Sequence, residues 1–81
     1  MTKDVLLEYL KNGREIEFQF KNKMYSITQG ILEGEHIFSF CEFYKETTEV
    51  ETPDEVLEIK RDGMSVREML NSISDDDIWI Y

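Results

Sequence analysis

The chain has 81 residues, 41% of them hydrophobic and ten of them aromatic, which bounds it to one small domain. With one cysteine it has no internal disulfide, and a net charge of −9 disfavours phosphate backbones and anionic membrane surfaces while attracting basic proteins. The charge is uneven: residues 1–30 sum to +1 and residues 31–81 to −10.

The opening Met1-Thr2-Lys3-Asp4 runs straight into an amphipathic pattern, with no basic stretch leading into an apolar one. No apolar run approaches the roughly 20 residues a bilayer span needs. The expected setting is therefore the reducing cytoplasm. Thr2 to Leu10 reads as a helix capped by Thr2 and stopped at Asn12-Gly13, with Val5, Leu6, Tyr9 and Leu10 on one face. Glu15 to Phe20 alternates strictly, which predicts a half-buried strand with Ile16, Phe18 and Phe20 inward. Lys21-Asn22-Lys23 is a turn, and Met24 to Thr28 the returning strand of a hairpin, with Tyr25 and Ile27 inward and Gln29-Gly30 ending it.

After a turn at Glu33-Gly34-Glu35, residues His36 to Tyr44 form a strand apolar on both faces near its middle, hence central or well covered. Lys45 to Glu51 is polar and acidic and reads as a loop. Thr52-Pro53-Asp54-Glu55 is the sharpest local signal: an N-cap, a proline at the first helical position and a glutamate placed for a capping box. That helix should reach about Ile59, although alternation at Leu57, Ile59 and Arg61 also suits a short strand. Asp62-Gly63 is a turn. Ser65-Val66-Arg67-Glu68 opens a helix to about Ile73, Asp75-Asp76-Asp77 breaks it, and Ile78 to Tyr81 is a strand that must pair into the sheet. The order α-β-β-β-α-α-β predicts an α+β fold, a small antiparallel sheet with helices packed on one face.

Few residues point to chemistry. His36, the only histidine, has no partner at a motif spacing and reads as structural. Cys41, between Phe40 and Phe43, reads as buried and inert, because a reactive thiol needs an electropositive setting. The aspartates 75–77 lack the alternation, glycine and late glutamate of a calcium loop and read as a solvated turn. The glycines at 13, 30, 34 and 63 are scattered turn residues and make no phosphate loop. No cofactor or metal is expected, and no enzyme activity. The densest acidic stretch is Glu42, Glu46, Glu49, Glu51, Asp54, Glu55 and Glu58, relieved by Lys45 and Lys60; it is either a solvated surface or a patch for a basic partner. Phe43, Tyr44, Trp79 and Tyr81 are large aromatics outside the clean alternation; core packing is their commoner fate, interface anchoring the other.

Five segments carry a resemblance: Glu15-Ile-Glu-Phe18, Lys23-Met-Tyr-Ser-Ile27, Phe40-Cys-Glu-Phe-Tyr44, Asp62-Gly63 with Arg67-Glu68, and Ile78-Trp-Ile-Tyr81. Across most of its length the chain resembles a group of short uncharacterised proteins of Gram-positive bacteria and their phages or mobile elements. The resemblance implies an accessory protein and attaches no activity.

Two functional classes follow. The first is a non-enzymatic interaction module that binds a larger, basic, nucleic-acid-handling protein through residues 42–58. The second is a small-molecule or metal-binding domain, with Phe18, Tyr25 and Phe38 framing a pocket and His36 or Tyr44 as polar handles. A homodimer that continues its sheet across a two-fold axis through the strand from Ile78 is a further possibility.

Overall fold

Two tight hairpins organise the first half of the chain. In the computed structural model, which describes Met1–Tyr81, helix α1 (Lys3–Lys11) leads into strands β1 (Ile16–Phe20), β2 (Lys23–Leu32) and β3 (Glu35–Glu42). Lys21-Asn22 joins β1 to β2 and Glu33-Gly34 joins β2 to β3. All four residues have positive φ (49°, 64°, 52° and 84°), as in type I′ turns, whose twist matches that of the strands they connect. Strand β4 (Thr47–Val50) and helix α2 (Pro53–Glu58) follow, then a small hairpin of β5 (Lys60–Arg61) and β6 (Met64–Ser65). Helix α3 (Val66–Asn71), a 3-10 turn (Asp75–Asp77) and β7 (Ile78–Ile80) complete the α+β fold.

The main sheet is antiparallel, in the order β4-β3-β2-β1-β7, so the last strand lies beside the first. Alternation sorts the side chains. Ile16, Phe18, Phe20, Tyr25, Ile27, Phe38 and Phe40 point to one face and are buried there. Leu6 and Leu10 from α1, Val56 and Leu57 from α2, and Val66, Met69 and Leu70 from α3 cover that face. At the centre Phe18, Tyr25 and Phe40 stack with ring centroids 5.3 to 6.3 Å apart. No helix packs on the other face. Trp79, Glu17, Ser26, Cys41 and Thr47 form one row across it through all five strands.

Several expectations need correction. The polar segment Lys45 to Glu51 is not all loop, because Thr47–Val50 pairs with β3, Phe38 opposite Val50 and Phe40 opposite Thr48. A sheet's outermost strand has one neighbour and no need of apolar residues on both faces, and charge there is common. The second strand runs past Gln29-Gly30 to Leu32, since Gly30 is extended and pairs with Ile37. Strand β3 lies inside the sheet, between β4 and β2, and is covered on one face only. Cys41 therefore lies half-buried on the open face, its Sγ 3.2 Å from Ser26 Oγ, while Phe40 takes the core position. The ambiguous residues after α2 divide: Ile59 leaves the helix with extended angles, and Lys60–Arg61 pairs with Met64–Ser65 around Asp62-Gly63. No helix is long and apolar enough to cross a membrane.

Candidate functional site

The acidic residues are gathered by the β3–β4 turn, the β4 edge and the first turn of α2. Glu42 ends β3, half-buried, and together with Asp62 it holds the Lys23 ammonium above its ordinary value, Glu42 being the larger cause. Glu46 is exposed in the turn. With Glu42, Lys45, Thr47, Thr48 and Arg61 it lines an open depression of about 510 Å³. Glu49 is exposed in β4, on the open face beside Ser39. Glu51 is exposed between β4 and α2.

Helix α2 begins where Thr52 caps it, its Oγ accepting from the Glu55 N–H at 3.3 Å. The Glu55 carboxylate accepts from the Thr52 hydroxyl at 2.9 Å and not from its backbone N–H, so only the forward half of the expected capping box forms. Asp54 and Glu55 lie in the first turn, where the helix dipole favours negative charge. Glu58 pairs with Arg67 at 3.0 Å. Asp54, Glu55 and Glu58 rim a shallow groove of about 360 Å³ floored by Val50 and Ile59.

The seven carboxylates are thus not equivalent. Glu58 has an ion-pair partner, Glu42 a nearby ammonium and Glu55 a hydroxyl. Glu46, Glu49, Glu51 and Asp54 make no salt bridge. Arg61, which lines the same depression as Glu46, is otherwise engaged: it lies over the Phe40 ring, 5.3 Å from its centroid, and donates to Thr48 Oγ1.

One of the large aromatics outside the alternation has a backbone conformation that the sequence pattern did not show. Tyr44, at the tip of the β3–β4 turn, is fully exposed and has φ of +67°. The left-handed region is unfavourable for any side chain larger than hydrogen, and bulky residues there are rare. Composition alone could not find it, because the turn type that demands positive φ depends on the β4 pairing. Of the four large aromatics, Tyr44, Trp79 and Tyr81 are exposed, so the commoner fate of core packing does not hold for them.

His36 is exposed at the start of β3, stacked on Phe38 at 4.5 Å. Its Nε2 lies 2.6 Å from Gln29 Oε1, and Gln29 Nε2 donates to the carbonyls of Leu10 and Arg14. The chain of bonds fastens the end of α1 to the sheet. Phe18, Tyr25 and Phe38 are buried and Tyr44 is fully exposed; of the three only Tyr25 lines a pocket, a small one of about 120 Å³ that it shares with Phe20, Lys23, Arg61, Asp62 and Met69. No group of three or more His, Cys, Asp or Glu side chains is placed to hold a metal ion. No known protein family, curated protein or solved structure matches the chain.

Proposed function

We propose that this chain is a non-enzymatic interaction module, an accessory protein of a bacterial or phage cytoplasm, that binds a larger basic protein through the β3–β4 turn, β4 and α2. The observation that carries the reading is the group Glu46, Glu49, Glu51 and Asp54, four exposed carboxylates without a cationic partner along one side of the fold. Clustered uncompensated charge raises the encounter rate with a positive surface and sets which surface docks. A nucleic-acid-handling protein presents such a surface, with carboxylates standing where phosphates would sit. Tyr44 beside them supplies a rigid aromatic anchor of the kind that concentrates binding energy.

The test is capture of partners by the immobilised chain, in parallel with the variant Glu46→Gln/Glu49→Gln/Glu51→Gln/Asp54→Asn. Washes at about 50 mM and about 500 mM salt shorten the Debye length from about 14 Å to about 4 Å. A basic protein held by the native chain at low salt, released at high salt and ignored by the variant is the expected result. Equal retention by the two chains, or retention indifferent to salt, would refute the reading.

A further inference from the structure

We propose that the small pocket between the β1–β2 and β5–β6 turns is an oxyanion site: it takes a phosphate, free or as the end group of a small monoester, on the Tyr25 hydroxyl and the side chains of Lys21, Lys23 and Arg61. The inference rests on no part of the acidic-surface reading, since Glu46, Glu49, Glu51 and Asp54 lie outside this pocket.

Two tight turns make the pocket. Lys23 and Tyr25 leave the first turn along β2 and, two residues apart, share the helix-covered face. Asp62-Gly63, both at positive φ, folds β5 back into β6 and brings Asp62 to 3.5 Å from Lys23 Nζ. Phe20, Met64 and Met69 supply the apolar wall, and the Lys21 ammonium lies 5.2 Å from the Phe20 ring centroid. The space, about 120 Å³, admits a group of a few heavy atoms and falls well short of the roughly 300 Å³ at which drug-sized ligands begin.

Tyr25 is the residue that points to a ligand. It is 2% exposed, its ring held against those of Phe18 and Phe40. Its hydroxyl has no hydrogen-bond partner in the protein. No side-chain oxygen or nitrogen shut off from solvent goes unpaired in this fold. The hydroxyl is therefore the part of Tyr25 that still reaches open space, and the pocket is the space that Tyr25 lines. Burial, and after it Glu42, holds the phenol above its ordinary 10, so it keeps its proton to donate.

The donors left over select the ligand. An ammonium carries three N–H groups and a guanidinium five. Lys23 gives its charge to one carboxylate, Asp62, and Lys21 to none. Arg61 donates to the Lys60 carbonyl and to Thr48 Oγ1, and it too has no carboxylate partner. None of these bonds exhausts its donor group. Acceptors are fewer. Asp62 is the one carboxylate in the lining, and Glu42, opposite Tyr25 in the β2–β3 ladder, stands just outside it. Three cations against those two carboxylates leave this corner positive in a chain whose net charge is −9. Spare donors and an excess of positive charge fit an oxyanion, whose oxygens accept short, charge-assisted hydrogen bonds. A metal cation or an amine would meet repulsion from the same three groups.

Amide NMR shifts of the full chain, titrated with inorganic phosphate against sodium chloride of equal ionic strength, read the site directly. Saturating shifts in residues 20–25 and 61–64 are expected, with a Kd on the order of 1 mM. Tyr25→Phe keeps the ring and removes the hydroxyl, and should raise the Kd at least ~10-fold, as loss of a hydrogen bond to a charged group does. Lys21→Asn keeps a residue that tolerates positive φ and should raise it ~3-fold. Asp62→Asn, equally tolerant, frees Lys23 and removes a repulsion, and should lower it ~5-fold. Glycerol phosphate that shifts the same amides would assign the site to the end group of an ester, and shifts with phosphate alone would assign it to the free ion. Shifts that sodium chloride reproduces, no saturation by about 50 mM phosphate, or a Kd indifferent to Tyr25→Phe would each overturn the proposal.

Discussion

At the scale of single residues, two positions show how a local conformation becomes a measurable energy. Tyr44 sits in the left-handed region without burial to compensate it, since the ring is fully exposed. The left-handed conformation costs an L-residue roughly 1–2 kcal/mol, which glycine escapes, although glycine also loses more freedom on folding. Tyr44→Gly should therefore stabilise the fold by about 0.5–1 kcal/mol while weakening partner binding, a pairing of outcomes that denaturant melts and the capture experiment read separately. A destabilised Tyr44→Gly would mean that the ring supports the turn. Ser65 is the counterpart inside the fold. It is buried, its Oγ accepts from the Glu68 N–H at 3.1 Å, and Glu68 Oε1 accepts from the Ser65 N–H at 3.2 Å, a complete capping box. Ser65→Ala should cost about 1–2 kcal/mol, read as a lower denaturation midpoint. The Glu68 carboxyl is held below its ordinary 4.5 chiefly by the Ser65 backbone N–H and then by the hydroxyl. A carboxyl lowered in the folded state contributes stability that is complete above about pH 4.5 and lost as pH falls through the folded-state value. Glu68→Gln should flatten the acid limb of stability against pH, and an unchanged limb would assign it to other carboxylates.

At the scale of elements, burial separates residues that the sequence makes look alike. Ile27 and Ile31 both belong to β2 and both point to the helix-covered side of the sheet, but Ile27 is wholly buried and Ile31, out on the overhanging end of the β2–β3 hairpin, is 72% exposed. Ile27→Ala should cost about 2–5 kcal/mol and Ile31→Ala less than about 0.5 kcal/mol, compared in the same denaturant series. Equal costs would mean that the hairpin end is covered in solution. The contrast marks how far the pattern was legible. Strict alternation in Ile16–Phe20 fixes both strand and inward face, and Thr52-Pro53 and Ser65-Glu68 fix two helix starts, because those signals act within a few residues. Strand β4 was not legible, because Thr47–Val50 becomes a strand through pairing with Phe38 and Phe40 and not through its own composition. Cys41 went astray by a related route: an apolar run does not say which of its faces a helix covers. The acidic candidates were nameable from sequence as a cluster. Their division into partnered Glu42, Glu55 and Glu58 and unpartnered Glu46, Glu49, Glu51 and Asp54 required Lys23, Thr52 and Arg67 to be placed in space.

At the scale of the whole molecule, nine units of net negative charge are confined to a body of 35 × 25 × 19 Å. At about 20 mM salt the Debye length is about 20 Å, so carboxylates on β4 and on the 3-10 turn repel one another through much of the fold; at about 300 mM it is under 8 Å and only near neighbours interact. Screening also weakens the attractions, but the structure holds just three ion pairs, two of them between exposed or half-exposed partners and each contributing about 0–1 kcal/mol. Repulsion is the larger quantity, and a chain of this size has on the order of 4–12 kcal/mol of stability in all. The thermal midpoint should therefore rise between those two salt concentrations. A midpoint that falls with salt would mean that the few cations, Arg67 and Lys23 above all, stabilise the fold more than the acidic surface strains it. In that case the four unpartnered carboxylates would be spaced too widely to repel.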